Sequence, residues 1–333
     1  MNKRILIIFT TCAPNPAANI EHWHRNFENI LQQDLSGFVT KSGHVTLLVD
    51  YIISDCMSAD NHMETARRLA NHAKSTYPEN GSYVISLRDK VSVQMSFNYT
   101  CKYMTENFGK YDFYIFWPSD VSFKDHSSLK NLIAAMDDND AIMCPANSDD
   151  LPHKGEWAQY QRYNPNGGKV SLPVSYACNG VFIIFSGNYA KKYKFKPWPD
   201  ILKSNCSEVF LSYTAAAIKK KWSIQQNIKV EPGRNFQDGP SLFSRTNINN
   251  VCTIIHINPF NNKYDLAEIV KDGYDVGLGF EELGEKYPHN PNAYSGLYAK
   301  TDDLYKYILE NMYIKEEDFN YNDYNLITFY EVK

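Results

Sequence analysis

The residues with the clearest chemical potential lie at the end of Lys110-Tyr-Asp-Phe-Tyr-Ile-Phe-Trp-Pro-Ser-Asp-Val121, a hydrophobic run closed by Pro118-Ser119-Asp120. A run of this kind forms a buried strand. An acid just past its end stands at the rim of a sheet, where ligands of open α/β sheets bind. A carboxylate there can hold a divalent cation against the phosphates of a nucleotide. An aspartate also starts turns after strands for purely local reasons. The elements on either side decide between these readings.

Those elements alternate. Residues 5–9 are apolar without polar interruption, as in a strand buried on both faces. Thr10-Thr-Cys-Ala-Pro-Asn-Pro16 follows as a loop. Residues 20–31 carry Trp23, Phe27, Ile30 and Leu31 at helical spacing. A second strand is expected over 44–49, closed by Asp50, then a helix around 63–75 and a third strand over 83–87. Residues 91–108 form a helix with Val93, Phe97, Cys101 and Met104 on one face, and Gly109 stops it. The strand 111–117 and the helix 127–136 come next, followed by a strand at 141–144. Strand and helix in this rhythm predict an α/β fold with a mostly parallel central sheet flanked by helices.

Beyond residue 146 the pattern changes. Residues 147–172 are rich in Asp, Gly, Pro, Asn and Tyr and read as a long surface excursion, the kind of loop that often binds ligands. Residues 175–185 return to the sheet, 207–220 form a helix and 222–228 a strand. A further strand is expected at 251–257 and short helices at 265–271 and 303–312. We divide the chain into a principal domain, 1–260, and a C-terminal extension, 261–333, packed on it.

Composition removes several function classes. A net charge of −4 gives no general affinity for nucleic-acid backbones. The seven cysteines are scattered, odd in number and never spaced as CxxC, which argues against a disulfide framework or a zinc knuckle. They suit a reducing compartment. The apolar stretch 5–9 is too short for a signal-peptide core, and no run approaches the roughly 20 apolar residues of a membrane span. The expected setting is cytoplasmic. His22-Trp-His24 would put its imidazoles on different helix faces, and Gly277-Leu-Gly279 lacks the spacing of a dinucleotide fingerprint. Neither a phosphate-binding Gly-Lys loop nor a nucleophile elbow is present.

Taken in order over residues 3–260, these features resemble a glycosyltransferase of the GT-A type, nearest to the large inverting family that includes cellulose and hyaluronan synthases. In that family a helix with a polar pair precedes a strand ending in Asp-x-Asp. Here Asn98 lies on the helix, and Pro118-Ser119-Asp120 stands at the motif. Pro118 replaces the first acid. Asp120 keeps the position that contacts the metal, with Ser119 beside it on the donor side.

The resemblance implies further roles. Cys178-Asn-Gly-Val-Phe-Ile-Ile184 matches the segment lining the acceptor side, and Ser207-Glu208 the later acidic pair. Glu208 would be the base, taking the proton of the acceptor hydroxyl as its oxygen attacks the anomeric carbon. An acid at a helix N-terminus is also favoured by the macrodipole alone. His256, in Thr253-Ile-Ile-His256, resembles the late histidine that joins Asp120 at the cation. Thr10, Thr11, Ala13 and Asp50 occupy positions that contact base and ribose in similar enzymes, although turn chemistry alone would also place an aspartate at 50.

The implied cofactor is Mn²⁺ or Mg²⁺, hard ions that take oxygen ligands and complete their shells with substrate phosphates. The implied partners are a nucleotide-sugar donor (a UDP- or GDP-sugar) and a glycan or other hydroxyl acceptor. The expected activity is inverting, metal-dependent hexosyl or pentosyl transfer. A retaining glycosyltransferase would not need Glu208 as base. A sugar- or nucleotide-binding protein with a degenerate site would be consistent with Pro118. A nucleotidyltransferase would normally carry a glycine-rich basic loop after the first strand, and residues 10–16 contain neither glycine nor lysine.

Overall fold

The computed structural model describes residues 1–13, 15–56, 58–87, 93–147, 169–172, 182–198, 211, 214, 215, 218, 220–232 and 326–333. The strands are β1 (Asn2–Thr11), β2 (Phe38–Thr40), β3 (Gly43–Cys56), β4 (Gly81–Leu87), β5 (Phe113–Pro118), β6 (Val121–Phe123), β7 (Asp140–Asn147), β8 (Lys169–Leu172), β9 (Ile183–Ser186), β10 (Lys221–Pro232) and β11 (Leu326–Glu331). The helices are α1 (Glu21–Leu31), α2 (Asp60–Thr76), α3 (Val93–Phe108), α4 (Ser128–Ala135) and α5 (Gly187–Lys192).

The strands build one sheet in the order β11-β4-β3-β1-β5-β9-β7-β10-β6, with β2 paired to β3 and β8 to β10 off this path. Strands β4, β3, β1 and β5 run parallel, joined by crossovers through helices. Strand β9 is inserted antiparallel between β5 and β7. The sheet is thus mixed and mostly parallel through its first half, as the alternation of elements predicts.

The uninterrupted apolar run of β1 has a simple cause. Successive side chains point to opposite faces of a strand, and here both faces are covered. Ile5, Ile7 and Phe9 pack with Trp23, Phe27 and Ile30 of α1, with Ala66 and Leu69 of α2, and with Leu129 and Leu132 of α4. Leu6 and Ile8 pack in the opposite layer with Phe97, Cys101 and Met104 of α3 and Tyr189 of α5. Phe9 and Phe27 meet edge to face at 5.2 Å. The helical stripes in the sequence therefore mark the faces that are buried. Gly109 closes α3 with φ +89°, a conformation that favours glycine at a helix C-terminus.

Three features depart from the sequence reading. Strand β3 does not end near Asp50 but continues through Tyr51–Cys56, hydrogen-bonded to β1 on one side and β4 on the other. Residues 169–172 of the expected excursion form β8, antiparallel to β10. The last strand, β11, joins the edge of the main sheet, antiparallel to β4, where Phe329 packs on Tyr83 at 5.6 Å and Tyr103 at 4.9 Å. The end of the expected C-terminal extension is thus a strand of the principal sheet. Residues 148–168, the expected strand at 251–257 and the short helices at 265–271 and 303–312 lie outside the described residues.

Candidate active site

The parallel strands β1, β3 and β5 end side by side at their C-terminal edge. Thr10 is in register with Ser54 on one side and Pro118 on the other, and Thr11 is opposite Asp55. This edge is where an open parallel sheet offers a crevice. It brings together Thr10, Thr11, Ala13, Ser119 and Asp120.

The Pro118-Ser119-Asp120 turn is held from several sides. The Ser119 N–H donates to the Thr10 carbonyl at 3.0 Å. The Ser119 carbonyl accepts from Asn26 Nδ2 of α1 at 2.7 Å. The Trp117 indole N–H reaches across the turn to the Val121 carbonyl at 3.0 Å. That indole is itself buried, edge-on to Phe123 at 5.3 Å and to Phe182 at 5.0 Å. Asp120 is partly exposed, and its carboxylate has no hydrogen-bond or ion-pair partner among the described residues. A turn fixed through its backbone thus carries an acid that no described residue neutralises.

The first loop is tied to the start of α2. Ala13 N–H donates to Ser58 Oγ at 2.8 Å, and the Ala13 carbonyl accepts from Ala59 N–H at 3.0 Å. His62 Nδ1 lies 2.9 Å from the same carbonyl, which can only accept, so Nδ1 carries the proton. The Thr11 hydroxyl donates to Asp55 Oδ1 at 2.8 Å. Thr10 and Thr11 are both buried, and their strand positions form the floor of the edge.

Asp55 is the residue that the sequence reading missed. It stands at the true end of β3, fully buried, and accepts from Thr11, from Ser58 N–H at 3.1 Å and from the Ser86 hydroxyl at 3.0 Å. Burial pushes its carboxyl pKa above the ordinary value, and the surrounding donors oppose that shift. Beside it, burial and a hydrogen bond with Cys12 raise the Cys56 thiol, the hydrogen bond being the larger cause. The signal was available: Tyr51-Ile-Ile53 continues the apolar run past Asp50 and closes in Ser54-Asp55.

Asp50 lies at the opposite end of the sheet core. Five residues at about 3.3 Å each put it roughly 16 Å from Asp55 along the strand. It is level with Gly81, the first residue of β4. One carboxylate oxygen accepts from Gly81 N–H at 3.0 Å, and the other from Tyr111 OH at 2.8 Å and Arg4 Nη2 at 3.1 Å. The Arg4 guanidinium also lies over the Tyr111 ring, 4.4 Å from its centroid. A Cβ at Gly81 would fall 2.5 Å from Asp50 Oδ1, so glycine lets the strands close on the carboxylate. Burial, followed by the Asp50 charge, raises the Tyr111 phenol well above its usual range. Asp50, expected at the ribose, organises strand packing here through Gly81, Tyr111 and Arg4.

Asn98, expected on the donor side, lies on α3. Its side chain is buried and grips the Trp198 backbone at both ends, donating to the carbonyl at 2.6 Å and accepting from the N–H at 2.9 Å. Glu208 and His256 lie outside the described residues. Among the described residues no three His, Cys, Asp or Glu side chains gather into a cation-binding group, and no helix is long and apolar enough to cross a membrane.

The chain's fold is of the GT-A glycosyltransferase type, with a mixed sheet, parallel in its first half, between helical layers. A mannosyltransferase from Pyrobaculum calidifontis, PcManGT, in complex with GDP-Man and Mn²⁺, superposes with a TM-score of 0.51 at 11% identity, over 92% of this chain and 74% of its own. GalNAc-T7 with UDP, GalNAc and Mn²⁺ superposes with a TM-score of 0.50 at 10% identity, over 92% of this chain and 54% of its own. This likeness carries the fold and does not single out the cellulose- and hyaluronan-synthase branch. No protein-family model matches the sequence, and no curated protein sequence matches it.

Proposed function

We propose that this protein is a glycosyltransferase that moves a sugar from a nucleotide-sugar donor to an acceptor hydroxyl with inversion, and that it requires Mn²⁺ or Mg²⁺. The observation that carries the reading is Asp120, an acid without a described partner, held on a fixed turn at the C-terminal edge of a GT-A-type sheet. Leaving such a carboxylate unpaired suits a ligand that brings its own positive charge. Two proteins of similar fold, one with GDP-Man and Mn²⁺ and the other with UDP, GalNAc and Mn²⁺, support a nucleotide-sugar donor.

The residues fit a hard cation, because Asp120 offers carboxylate oxygen and the donor phosphates would supply further oxygens. Asp120 and His256 would hold the ion, which when bound neutralises charge on the departing diphosphate. Glu208 would take the proton of the acceptor hydroxyl as that oxygen attacks the anomeric carbon from the face opposite the nucleotide. Thr10, Thr11, Ala13 and Ser119 would line the nucleotide crevice. Asp55, which holds Thr11 and Ser58, would be the acid nearest this crevice, with Asp50 five residues earlier on β3.

A second reading follows from Pro118, which removes the first acid of the motif. A binding protein with a degenerate site would hold a nucleotide sugar without turning it over. The test is release of nucleoside diphosphate from UDP- and GDP-sugars with and without Mn²⁺. We expect Mn²⁺-dependent release that falls at least about 100-fold in Asp120→Asn, with an unchanged melting temperature, as for loss of a charge-stabilising group at a reacting centre. Glu208→Gln should lose turnover but still bind donor. Tight donor binding without turnover in the wild type would favour the second reading, and absence of any nucleotide-sugar binding would refute both.

A further inference from the structure

Helix α1 faces the β5–β6 segment with a row of side-chain amides one turn apart. Asn26 donates to the Ser119 carbonyl at 2.7 Å. Asn29 donates to the Phe123 carbonyl at 2.9 Å and accepts from the Phe123 N–H at 2.8 Å. Gln33 donates to the Asp125 carbonyl at 3.3 Å and accepts from the Leu129 N–H at 3.0 Å. Asn26 and Asn29 lie one turn apart on one face of α1, and Gln33 follows just past the helix end. Beyond the helix, Asp34 pairs with Lys130 and so fastens the far end of the same segment.

The three amides are not equivalent. Asn29 and Gln33 each use both halves of the amide, in the manner of an added strand. Asn26 uses one half. It is fully buried, yet its Oδ1 has no hydrogen-bond partner among the described residues. A buried, half-satisfied amide costs stability relative to an apolar side chain of the same shape. Packing of α1 on the sheet does not require it, because Trp23, Phe27 and Ile30 supply that contact. What Asn26 does alone is fix the Ser119 carbonyl. The peptide N–H of the same residue is held by Thr10, so both polar backbone groups of Ser119 are fixed immediately before Asp120.

We propose that Asn26 is a positioning residue: its amide sets the orientation of the Ser119–Asp120 peptide and so aims the Asp120 carboxylate at the cation and diphosphate. The inference rests on the proposed cation role of Asp120. Asn29, one turn away, is the built-in comparison, since it secures β6 without touching the turn. A misaimed carboxylate pays the cost of reorientation each time the cation binds, so loss of the Asn26 hydrogen bond weakens metal capture rather than folding alone.

The experiment uses the full chain and titrates Mn²⁺ at fixed UDP or GDP, reading the rise in melting temperature, together with amide hydrogen exchange. Asn26→Leu should raise the Mn²⁺ midpoint about tenfold, the scale of one buried hydrogen bond. It should also speed exchange at residues 119–121. Asn29→Leu should lower the melting temperature and speed exchange near residue 123, with its Mn²⁺ midpoint within about twofold of wild type. Asn26→Ser, which also loses this donor to Ser119, is read in the same way if Asn26→Leu does not fold. A midpoint unmoved in the Asn26 variants, or moved equally in the Asn29 variant, overturns the inference and leaves the role of Asp120 intact. A wild type without any Mn²⁺-dependent nucleotide binding overturns that role and the inference with it.

Discussion

Replacing Asp50 with asparagine separates a packing role from a nucleotide-binding one. The new amide keeps an oxygen for Gly81 N–H but presents NH₂ where Asp50 accepts from Tyr111 OH at 2.8 Å and Arg4 Nη2 at 3.1 Å. Tyr111 is 3% exposed, so its hydroxyl hydrogen loses its acceptor out of water, a loss of about 1–3 kcal/mol. The Arg4 side chain is 34% exposed and keeps its bond to the Phe108 carbonyl at 2.8 Å. Screening limits its share of the loss to about 0–1 kcal/mol. The expected sum is about 1–4 kcal/mol, or roughly 1–6 °C in melting temperature for a chain of this size. Circular dichroism melts measure it, and calorimetric titration of UDP and GDP measures the other side. The expected result is lower stability with nucleotide affinity unchanged. Affinity lost at constant stability would return Asp50 to the nucleotide site and refute the placement argued above.

Asn98→Leu should be costlier than its conservative shape suggests. It removes both hydrogen bonds to the Trp198 backbone beside a cluster of Phe97, Phe116 and Phe185, and should lower stability by about 1–3 kcal/mol in thermal or urea melts. Acid stability should carry a contribution from Asp34, whose pKa is lowered to about 2 by hydrogen bonds from Lys130 and then Ser36. A carboxylate with a depressed folded-state pKa stabilises above its unfolded value of 3.8 and loses that contribution as pH falls toward about 2. Asp34→Asn should flatten melting temperature against pH in that window. The side chain is 41% exposed, so screening limits the effect to under about 1 kcal/mol.

The sequence by itself determined the run of elements and one end of the site. Hydrophobic continuity at Ile5–Phe9 and Phe113–Trp117 marks strands covered on both faces, and helical spacing at Trp23, Phe27 and Ile30 marks the covering face. These signals are local, since burial writes its period directly into neighbouring residues. Asp120 was legible for the same reason: it follows the strand that carries it to the edge. The rest depended on partners distant in the chain. Asp50 and Asp55 look alike in sequence, each an acid after apolar residues. Arg4, Gly81 and Tyr111 close around the first and Thr11 and Ser86 around the second. Asn98 became a clamp because Trp198, 100 residues later, folds against it. Asn26 finds its hydrogen-bond partner in a carbonyl 93 residues away. Side-chain hydrogen bonds that span such separations leave no period in the sequence, and only tertiary packing decided which polar residue organises the fold and which is left to meet a ligand.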